Sequence, residues 1–345
     1  MKHYLLLKKI EVQNANAIAG LTYGFPAITN FLGFAHALSR QLAPKMGVTL
    51  GGVAVISHKN AVHARRPSGW GDYVFALTRN PLTQQGNTAP INEEGRMSMQ
   101  MSLLIEIEGI RGGDRQTEQT LIEHLKTVVP SLRLAGGQIT HVAAYQLLAS
   151  EAQQRHALRR LMPGFVLIDR HDYLAKHFEQ LQQHNPGSTL MDAWCDFATL
   201  KYSATPLADD TVAQHDALEK GSADTRATEK DDTKQKAVWQ AQPKPETGYL
   251  VPIATGYCAI SECYAPGEVA NVRDTQVPVV FAETAYSVGE WLSVHRLQEI
   301  QQGIWCYHHD SPWYLAKGSL IQETVLPPDF IDETEAQTGF DPDFL

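Results

Sequence analysis

The sequence MSMQMSLLIEI at residues 97–107 is the segment that decides the fold class. Methionine and leucine side chains occupy every second position as far as Leu103, and serine and glutamine side chains lie between them. This alternation predicts a β-strand with one apolar face and one polar face. A strand of this kind is typical of an antiparallel sheet that packs against helices on one side.

The segments on either side of this strand alternate between strand and helix patterns. Residues 14–26 are polar and rich in turn residues, which predicts a long loop. A helix is expected to begin with Thr29 as its N-cap and to end at Pro44 and Gly47, and a second amphipathic helix is expected at 117–129. Strands are predicted at 5–12, 52–64, 97–107 and 138–148, with 72–78 as an inserted excursion. The order βαββαβ predicts an α+β protein of the ferredoxin-like, RNA-recognition type with inserted elements.

The second half of the chain has a less regular α+β pattern, and the sequence divides into five predicted parts. They are a ferredoxin-like RNA-recognition-type domain at 1–150, a helical region at 151–204, a charged and mobile insertion of low hydrophobicity at 205–247, a strand-containing region at 248–328 that packs on the first domain, and an acidic tail at 329–345.

Charge is distributed unevenly along the 345 residues, whose formal net charge is −9. Residues 1–204 carry 20 bases and 15 acids, whereas the tail at 329–345 carries six acids and no base. The overall acidity therefore does not exclude an anionic partner for the N-terminal half. Four cysteines in a chain of this length do not predict a disulfide framework, and no segment resembles a membrane span, so we expect a cytoplasmic protein.

Common enzyme motifs are absent from the sequence. It contains no phosphate-binding G-x-x-x-x-G-K-[ST] loop, no G-x-G-x-x-G after a strand, no G-x-S-x-G elbow and no H-E-x-x-H helix. Cys258, Cys263, Cys306 and His308 could supply four zinc ligands, but their spacing is unusual and packing as small hydrophobic residues is favoured. Glu93 and its neighbouring Glu94 could form a catalytic pair, but a local turn that pairs with the next arginine is favoured. These absences argue against the common hydrolases and dinucleotide-dependent enzymes, and we predict no metal and no cofactor.

Basic residues at strand ends and turns of the N-terminal half are better candidates for function. Guanidinium groups suit phosphate oxygens, asparagine amides suit base edges, and exposed aromatic rings stack on unpaired bases. The alternative is a set of ordinary solvated arginines and aromatic core residues. The candidate RNA-binding residues in these segments are Arg65, Arg66, Arg79, Asn80, Arg96 and Tyr23, with Phe25 and Trp70 in the neighbouring loops.

An ordered set of short motifs resembles one protein family along most of the chain. The motifs are QNANAIAG (13–20), YGFPA (23–27), FLGFAHAL (31–38), LTRNPL (77–82), EEGR (93–96), PGFVL (163–167), GYCAIS (256–261), RD (273–274) and YSVGEWLSVHR (286–296). Together they are similar to the second subunit of the type I-F, or Csy-type, CRISPR surveillance complex, a Cas-five-type member of the RAMP superfamily. Residues 205–247 and the acidic tail lie outside the resemblance.

The resemblance implies a non-catalytic subunit that holds the 5′ handle of the CRISPR RNA. It implies that the subunit pairs with the large subunit and contacts the first repeated backbone subunit, near the entry of target DNA, in antiviral defence. In that role Asn14, Asn16 and Arg296 are further RNA-binding candidates. The residues expected to contact either RNA or a neighbouring subunit are His36, Arg40, Trp291 and His295.

Three alternatives to these assignments stay open at this point. The asparagines could instead cap the loop through local bonds, and Trp291 and His295 could instead pack a turn. The protein could be a CRISPR RNA-processing endoribonuclease of the same superfamily, with His36 or His295 as general acid or base. It could also be a purely protein-binding scaffold.

Overall fold

The computed structural model describes residues 2–110, 112–206 and 237–319. The chain divides into two compact units, one formed by residues 1–175 and 248–345 and the other by residues 176–247. Most of the predicted insertion and the whole of the predicted acidic tail lie outside the described residues, so these two predictions are not addressed by the structure.

Ten strands and three helices make up the first half of the larger unit. In chain order they are β1 (His3–Asn16), β2 (Ile18–Ala19), β3 (Thr22–Tyr23), α1 (Ile28–Met46), β4 (Thr49–Val62), β5 (Ala64–Arg65), β6 (Val74–Arg79), β7 (Ile91–Glu94), β8 (Arg96–Glu108), α2 (Arg115–Val128), β9 (Arg133–Leu134), β10 (Gly137–Leu148) and α3 (Glu151–Arg160).

The remaining described elements follow in the order β11 (Phe165–Asp169), α4 (His171–His184), α5 (Leu190–Ala198), β12 (Lys201–Pro206), β13 (Ala237–Gln242), β14 (Leu250–Ala259), β15 (Ala282–Ser293), β16 (Ile304–Asp310) and β17 (Trp313–Gly318). Short 3-10 turns occupy Val129–Ser131, Val294–Arg296 and Ile300–Gly303.

The centre of the fold is a four-stranded antiparallel group in the order β4, β8, β1, β10. The strand predicted from MSMQMSLLIEI is β8, which lies between β1 and β4 and pairs Leu103 with Leu7 and with Val55. The α+β class and the order of strands and helices along this part of the chain agree with the sequence analysis. The ferredoxin-like assignment stays a prediction, supported by the split strand–helix–strand arrangement.

Alternation along β1 sends side chains to both faces of this sheet. Leu5 and Leu7 lie in a buried cluster with Phe31 and Leu38 of α1, whereas Leu6 lies in a second cluster on the other face. The second cluster includes Leu158 of α3. Each fully buried side chain of this size stabilises the fold by about 1.5–3 kcal/mol relative to exposure, so both faces contribute to the core.

The start of α1 differs from the prediction. The helix begins at Ile28 with Ala27 in the N-cap position and no side-chain cap, so the assignment of Thr29 as N-cap was wrong. The Thr29 carbonyl accepts a hydrogen bond of 3.1 Å from the Tyr307 hydroxyl, which ties this end of the helix to β16. The helix ends at Gly47, whose φ of 65° lies in the left-handed region that favours glycine.

The long loop predicted at residues 14–26 is largely a strand end followed by a small hairpin. Strand β1 continues to Asn16, and β2 pairs with β3 through Ile18 and Tyr23. Buried Ala15 and Ala17 alternate with more exposed polar neighbours, so this segment carries a strand pattern that its asparagines conceal.

Strands from the C-terminal part of the chain extend the same sheet and close a ring. The order β4, β11, β15, β14, β17, β16 returns to β4 through antiparallel pairings. Trp305 is fully buried in β16, and its Nε1 donates a 2.8 Å hydrogen bond to the Leu167 carbonyl of β11. The sequence analysis did not predict β16 or β17.

A buried ion pair lies in this ring. Arg170 Nε donates to Glu290 Oε2 at 2.7 Å, and both side chains are about nine-tenths buried. Next to it, Asp169 Oδ2 accepts a 2.9 Å bond from the Gly318 N–H. Because each buried charge has a partner, removal of either member would leave an uncompensated charge.

The far edge of the ten-stranded sheet is formed by β10 and the very short β9. Strand β9 pairs with β10 only at Gly137 and Gln138, whereas β1 pairs with β10 from Gln138 to Leu148. Residues 139–148 therefore have a strand on one side only among the pairings of the described residues.

The smaller unit contains α5 and a two-stranded sheet of β12 and β13. The predicted helical region at 151–204 does not stay helical to its end, because α5 ends at Ala198 and a strand begins at Lys201. Within this unit, Asp196 accepts hydrogen bonds from Lys201 and, at 2.8 Å, from His177. Across the described ranges no helix is long and apolar enough to cross a membrane.

Candidate nucleic-acid interface

A three-stranded sheet of β5, β6 and β7 forms the insertion between β4 and β8, and we call it the projecting sheet. It joins the main sheet where the His63 N–H donates to the Arg96 carbonyl at 2.7 Å and the Ala17 N–H donates to the Gly95 carbonyl at 2.9 Å. The strands on either side of β6, namely β5 and β7, are therefore both attached at the same end of the main sheet.

Aromatic side chains are exposed on and beside the projecting sheet. Trp70 is 79% exposed and Tyr23 is 72% exposed, so neither ring belongs to the core. The Tyr23 ring meets the Phe75 ring edge to face, with 5.9 Å between the ring centres. Sequence analysis missed Tyr73 and Phe75 as members of this surface, although their alternation in the predicted strand at 72–78 could have identified them.

The predicted arginines of the projecting sheet lie in different environments. Arg65 is exposed on β5, opposite Val74. The Arg66 guanidinium carbon lies 4.3 Å from the centre of the Tyr73 ring, a cation–π contact. Arg79 is exposed at the far end of β6, about 17 Å from Val74 at the usual strand rise, and the exposed Asn80 follows it.

Arg96 pairs with an acid beside it. Its Nε and Nη2 donate to Glu94 Oε2 at 3.0 and 2.7 Å, and Glu93 Oε1 accepts a 3.1 Å bond from the Phe75 N–H. The local pairing that the sequence analysis favoured for these acids is therefore present. Both carboxylates hold the base of the projecting sheet, so Arg96 is a weaker candidate for a phosphate contact than Arg65 or Arg79.

The two candidate asparagines lie at the end of β1. Asn14 is exposed and has a left-handed φ of 54°. The side chain of Asn16 donates to the Ile18 carbonyl at 2.7 Å and accepts from the Ile18 N–H at 3.2 Å. Local capping, the alternative left open for these residues, therefore occupies the Asn16 amide and leaves Asn14 as the freer of the two.

The candidates on α1 and near β15 do not belong to the projecting sheet. His36 and Arg40 are exposed one turn apart on α1. Trp291 is half-buried, and its ring meets the Phe25 ring edge to face at 4.9 Å, while Phe25 also stacks on Phe31 of α1. Packing therefore accounts for both aromatic rings.

The last two candidates follow β15 in a short 3-10 turn. His295 Nδ1 lies 2.7 Å from the Ser293 hydroxyl, and Arg296 is exposed. The local bond of His295 agrees with the alternative that this segment packs a turn. Arg296 keeps its guanidinium accessible.

The possible zinc ligands are not assembled in the part of the chain that the structure describes. No group of three or more His, Cys, Asp or Glu side chains there has the geometry to hold a metal ion, and all four cysteines are free. His308 lies in β16.

Comparison with known proteins identifies the family. Residues 5–316 match the family described as CRISPR-associated protein (Cas_Csy2). The chain is 36% identical over 323 residues to the CRISPR-associated protein Csy2 of Pseudomonas aeruginosa strain UCBPP-PA14, a match that covers 89% of this chain and 92% of the relative. The resemblance to the type I-F second subunit is thereby confirmed at the level of the family, whereas the Cas-five-type RAMP assignment stays a prediction. The chain belongs to the Csy2 family of CRISPR-associated proteins.

Proposed function

We propose that this protein is a non-catalytic, RNA-binding subunit of the type I-F CRISPR surveillance complex and that its projecting sheet grips the 5′ handle of the guide RNA. Membership of the Csy2 family supports a role in that complex. The observation that carries the RNA-binding part is the combination of exposed rings and exposed guanidinium groups on and beside the projecting sheet, in particular Trp70, Tyr23, Arg65 and Arg79.

This combination suits a single-stranded RNA end. Unpaired bases stack on exposed aromatic rings, and each stacked base contributes about 1–3 kcal/mol. Arginine forks at both ends of β6 would bind phosphates several nucleotides apart, because the two ends are about 17 Å apart along the strand. The Arg66 guanidinium, already stacked on Tyr73, extends the same surface.

The proposal includes the partners implied by family membership. We propose that the protein bridges the large subunit to the repeated backbone subunits in the cytoplasm, close to the target DNA. His36 and Arg40 on the open side of α1 and Arg296 beyond β15 are available for such contacts, because all three side chains are exposed.

A salt titration tests the RNA-binding role. Each phosphate contact to a single strand adds about 0.7 to the slope of log affinity against log salt, so R65A/R79A is expected to reduce the slope by about 1.4 for handle RNA. The matched control is R115A, an exposed arginine on α2 away from the projecting sheet. An unchanged slope in R65A/R79A would remove both residues from the RNA contact.

The two alternatives have their own tests. Incubation with repeat RNA is expected to give no cleavage product; cleavage that disappears in H36A or H295A would establish an endoribonuclease instead. Crosslinking of the assembled complex is expected to join this chain to the guide RNA. A complex that survives ribonuclease treatment and gives no RNA crosslink to this chain would favour a protein-binding scaffold.

A further inference from the structure

The two neighbours of the central strand β8 bulge at adjacent positions along it. The first bulge lies opposite Ser102, which is fully buried, and the second lies one step further along β8, between Met101 and Gln100. On one side the β1–β8 register shifts between Leu7 and Ile10, so that Lys8 and Lys9 together oppose Ser102. On the other side the β4–β8 register shifts between Ser57 and Lys59, which leaves His58 as the extra residue. Bulges redirect side chains and are common beside functional sites.

The Ser102 hydroxyl joins the two bulges. Its Oγ accepts a 2.9 Å hydrogen bond from the Lys9 N–H and lies 2.8 Å from His58 Nε2, to which it donates. His58 Nδ1 in turn lies 2.8 Å from the Pro163 carbonyl, which can only accept. Burial, together with the nearby Lys9 and Lys8, lowers the pKa of His58 and so favours the neutral imidazole.

Backbone strain accompanies the bulge in β1. Lys9 has a φ of 47°, which a lysine adopts at a cost because its Cβ crowds the backbone in the left-handed region. The bond from its N–H to Ser102 helps to hold this conformation. Backbone strain that the surrounding structure maintains is concentrated at functional sites in proteins, which makes this bulge a candidate for one.

Cations gather around the two bulges without acids to neutralise them. Burial and the neighbouring charges of Arg160 and Lys9 lower the pKa of Lys8, so these positive groups lie close together. None of the ion pairs within the described ranges involves Lys8, Lys9 or Arg160. Like charges held together in a partly buried position repel one another, and an anion that binds between them relieves the repulsion.

The surrounding face of the sheet is polar and partly open. Lys59 lies opposite Gln100 in the β4–β8 register, and side chains opposite one another share a face. Further along, Glu11 accepts a 3.4 Å bond from Gln100 Nε2 and marks the limit of the cationic area. The C-terminal end of α3, which carries Arg160, borders the other side.

We propose that Lys8, Lys9, Lys59 and Arg160, which we call the bulge patch, bind the phosphodiester backbone of a nucleic acid. His58 supports the patch through its bonds to Ser102 and to the Pro163 carbonyl. The inference extends the proposed RNA-binding role to a second site and rests on it only for the identity of the RNA. Eight residue steps along β1 separate Lys8 from Asn16, about 25 Å at the usual strand rise, so the bulge patch and the base of the projecting sheet are separate sites on the same strand.

A titration of the full-length protein with two probes tests this inference. The probes are a fluorescent single-stranded RNA that begins with the handle and a fluorescent double-stranded DNA, each measured by anisotropy over a range of salt. The variants are K8Q/K9Q and, since a change in the bulge could disturb folding, R160Q, which lies on the helix instead. The matched control is K45Q/K126Q, two lysines in the last turns of α1 and α2.

The salt slopes identify the source of the phosphates. We expect K8Q/K9Q to reduce the RNA slope by about 1.4 if the patch binds single-stranded RNA, or the DNA slope by about 1.8 if it binds duplex DNA, and R160Q to reduce the same slope by about half as much. Slopes for both probes that match those of K45Q/K126Q, in K8Q/K9Q and in R160Q alike, would overturn the inference.

Parallel titration of R65A/R79A separates this inference from the proposed function. If R65A/R79A loses RNA slope and K8Q/K9Q does not change either probe, the bulge patch is wrong and the projecting sheet stands. If K8Q/K9Q loses slope and R65A/R79A does not, the projecting sheet is wrong and the bulge patch stands.

Discussion

The projecting sheet and the bulge patch both present cations to solvent, but they are built in opposite ways. The projecting sheet carries its guanidinium groups on and beside short strands in which no side chain is buried, and Arg66 stacks on the ring of Tyr73. The bulge patch is fixed to the fully buried Ser102 in the middle of the main sheet. The comparison teaches that an adaptable binding surface and a preorganised one can occupy one compact unit, at a different cost to stability.

The largest expected effect is on RNA affinity, when the projecting sheet is removed and the main sheet that holds the bulge patch is kept. Replacement of residues 66–93 by a short Gly/Ser linker should reduce affinity for handle RNA by more than about 100-fold, or about 2.7 kcal/mol, because exposed rings and arginines are lost together. The main sheet should stay folded, since β4 and β8 pair from Thr49 to Val62 without the projecting sheet. Anisotropy and thermal unfolding measure the two results; affinity within threefold of wild type would contradict the first.

The next largest expected effect is a difference between the bulge and the projecting sheet in how much each contributes to the free energy of unfolding. Ser102→Ala should lower the free energy of unfolding by about 1–3 kcal/mol, because the Lys9 N–H and His58 Nε2 lose a shared partner. Tyr73→Ala in the projecting sheet should change it by no more than about 0.5 kcal/mol, since that ring is 42% exposed. Urea denaturation of both variants checks the order, and a larger loss in Tyr73→Ala would reverse the comparison.

The smallest expected effect concerns the pH dependence of stability and uses two histidines whose pKa values are shifted in opposite directions. The pKa of His58 is lowered from its ordinary 6.5, chiefly by burial, so the stability it contributes is present above that value and is lost as the pH falls through the folded pKa. The pKa of His171 is raised from 6.5, chiefly by its bond to Asp169, so its contribution is present below 6.5 and is lost as the pH rises through the folded pKa.

Urea midpoints from pH 5 to pH 8 measure these contributions. His58→Asn should flatten the fall in stability on the acid side, whereas His171→Asn should flatten the fall on the neutral side. The same change in both variants would show that neither histidine has the environment described above.

Local pattern was sufficient to predict the central elements from the sequence. The alternation around Met99 and the helical spacing around Leu121 each record which side chains are buried, so β8 and α2 were predicted close to their bounds. The N-cap of α1 and the hairpin before it were missed, because Asn14 and Asn16 indicate a loop in isolation and only their pairing with β8 shows that the strand continues.

The candidate site was predicted only in part, because the local sequence pattern identifies some of its residues and long-range strand pairing determines the others. Arg65 and Arg79 stand out in turns and at strand ends, and the structure leaves both exposed. Lys8 and Lys9 only mark the end of an apolar run in the sequence, since their role depends on the register that sets them opposite Ser102. Long-range register of this kind also determines the six-stranded ring, which no local pattern of β14 to β17 reveals.

The closed ring at one side of the main sheet also limits how the sheet can grow. Strand β11 pairs with both β15 and β4, which closes the ring on that side. At the other side β9 pairs only with the first residues of β10, so in the described pairings residues 139–148 have a free edge. An extended segment of another molecule could add a strand there. Unpaired backbone groups at a sheet edge are a template for such addition. A strand added along residues 139–148 would end growth of the sheet at that edge unless the added segment brought a free edge of its own.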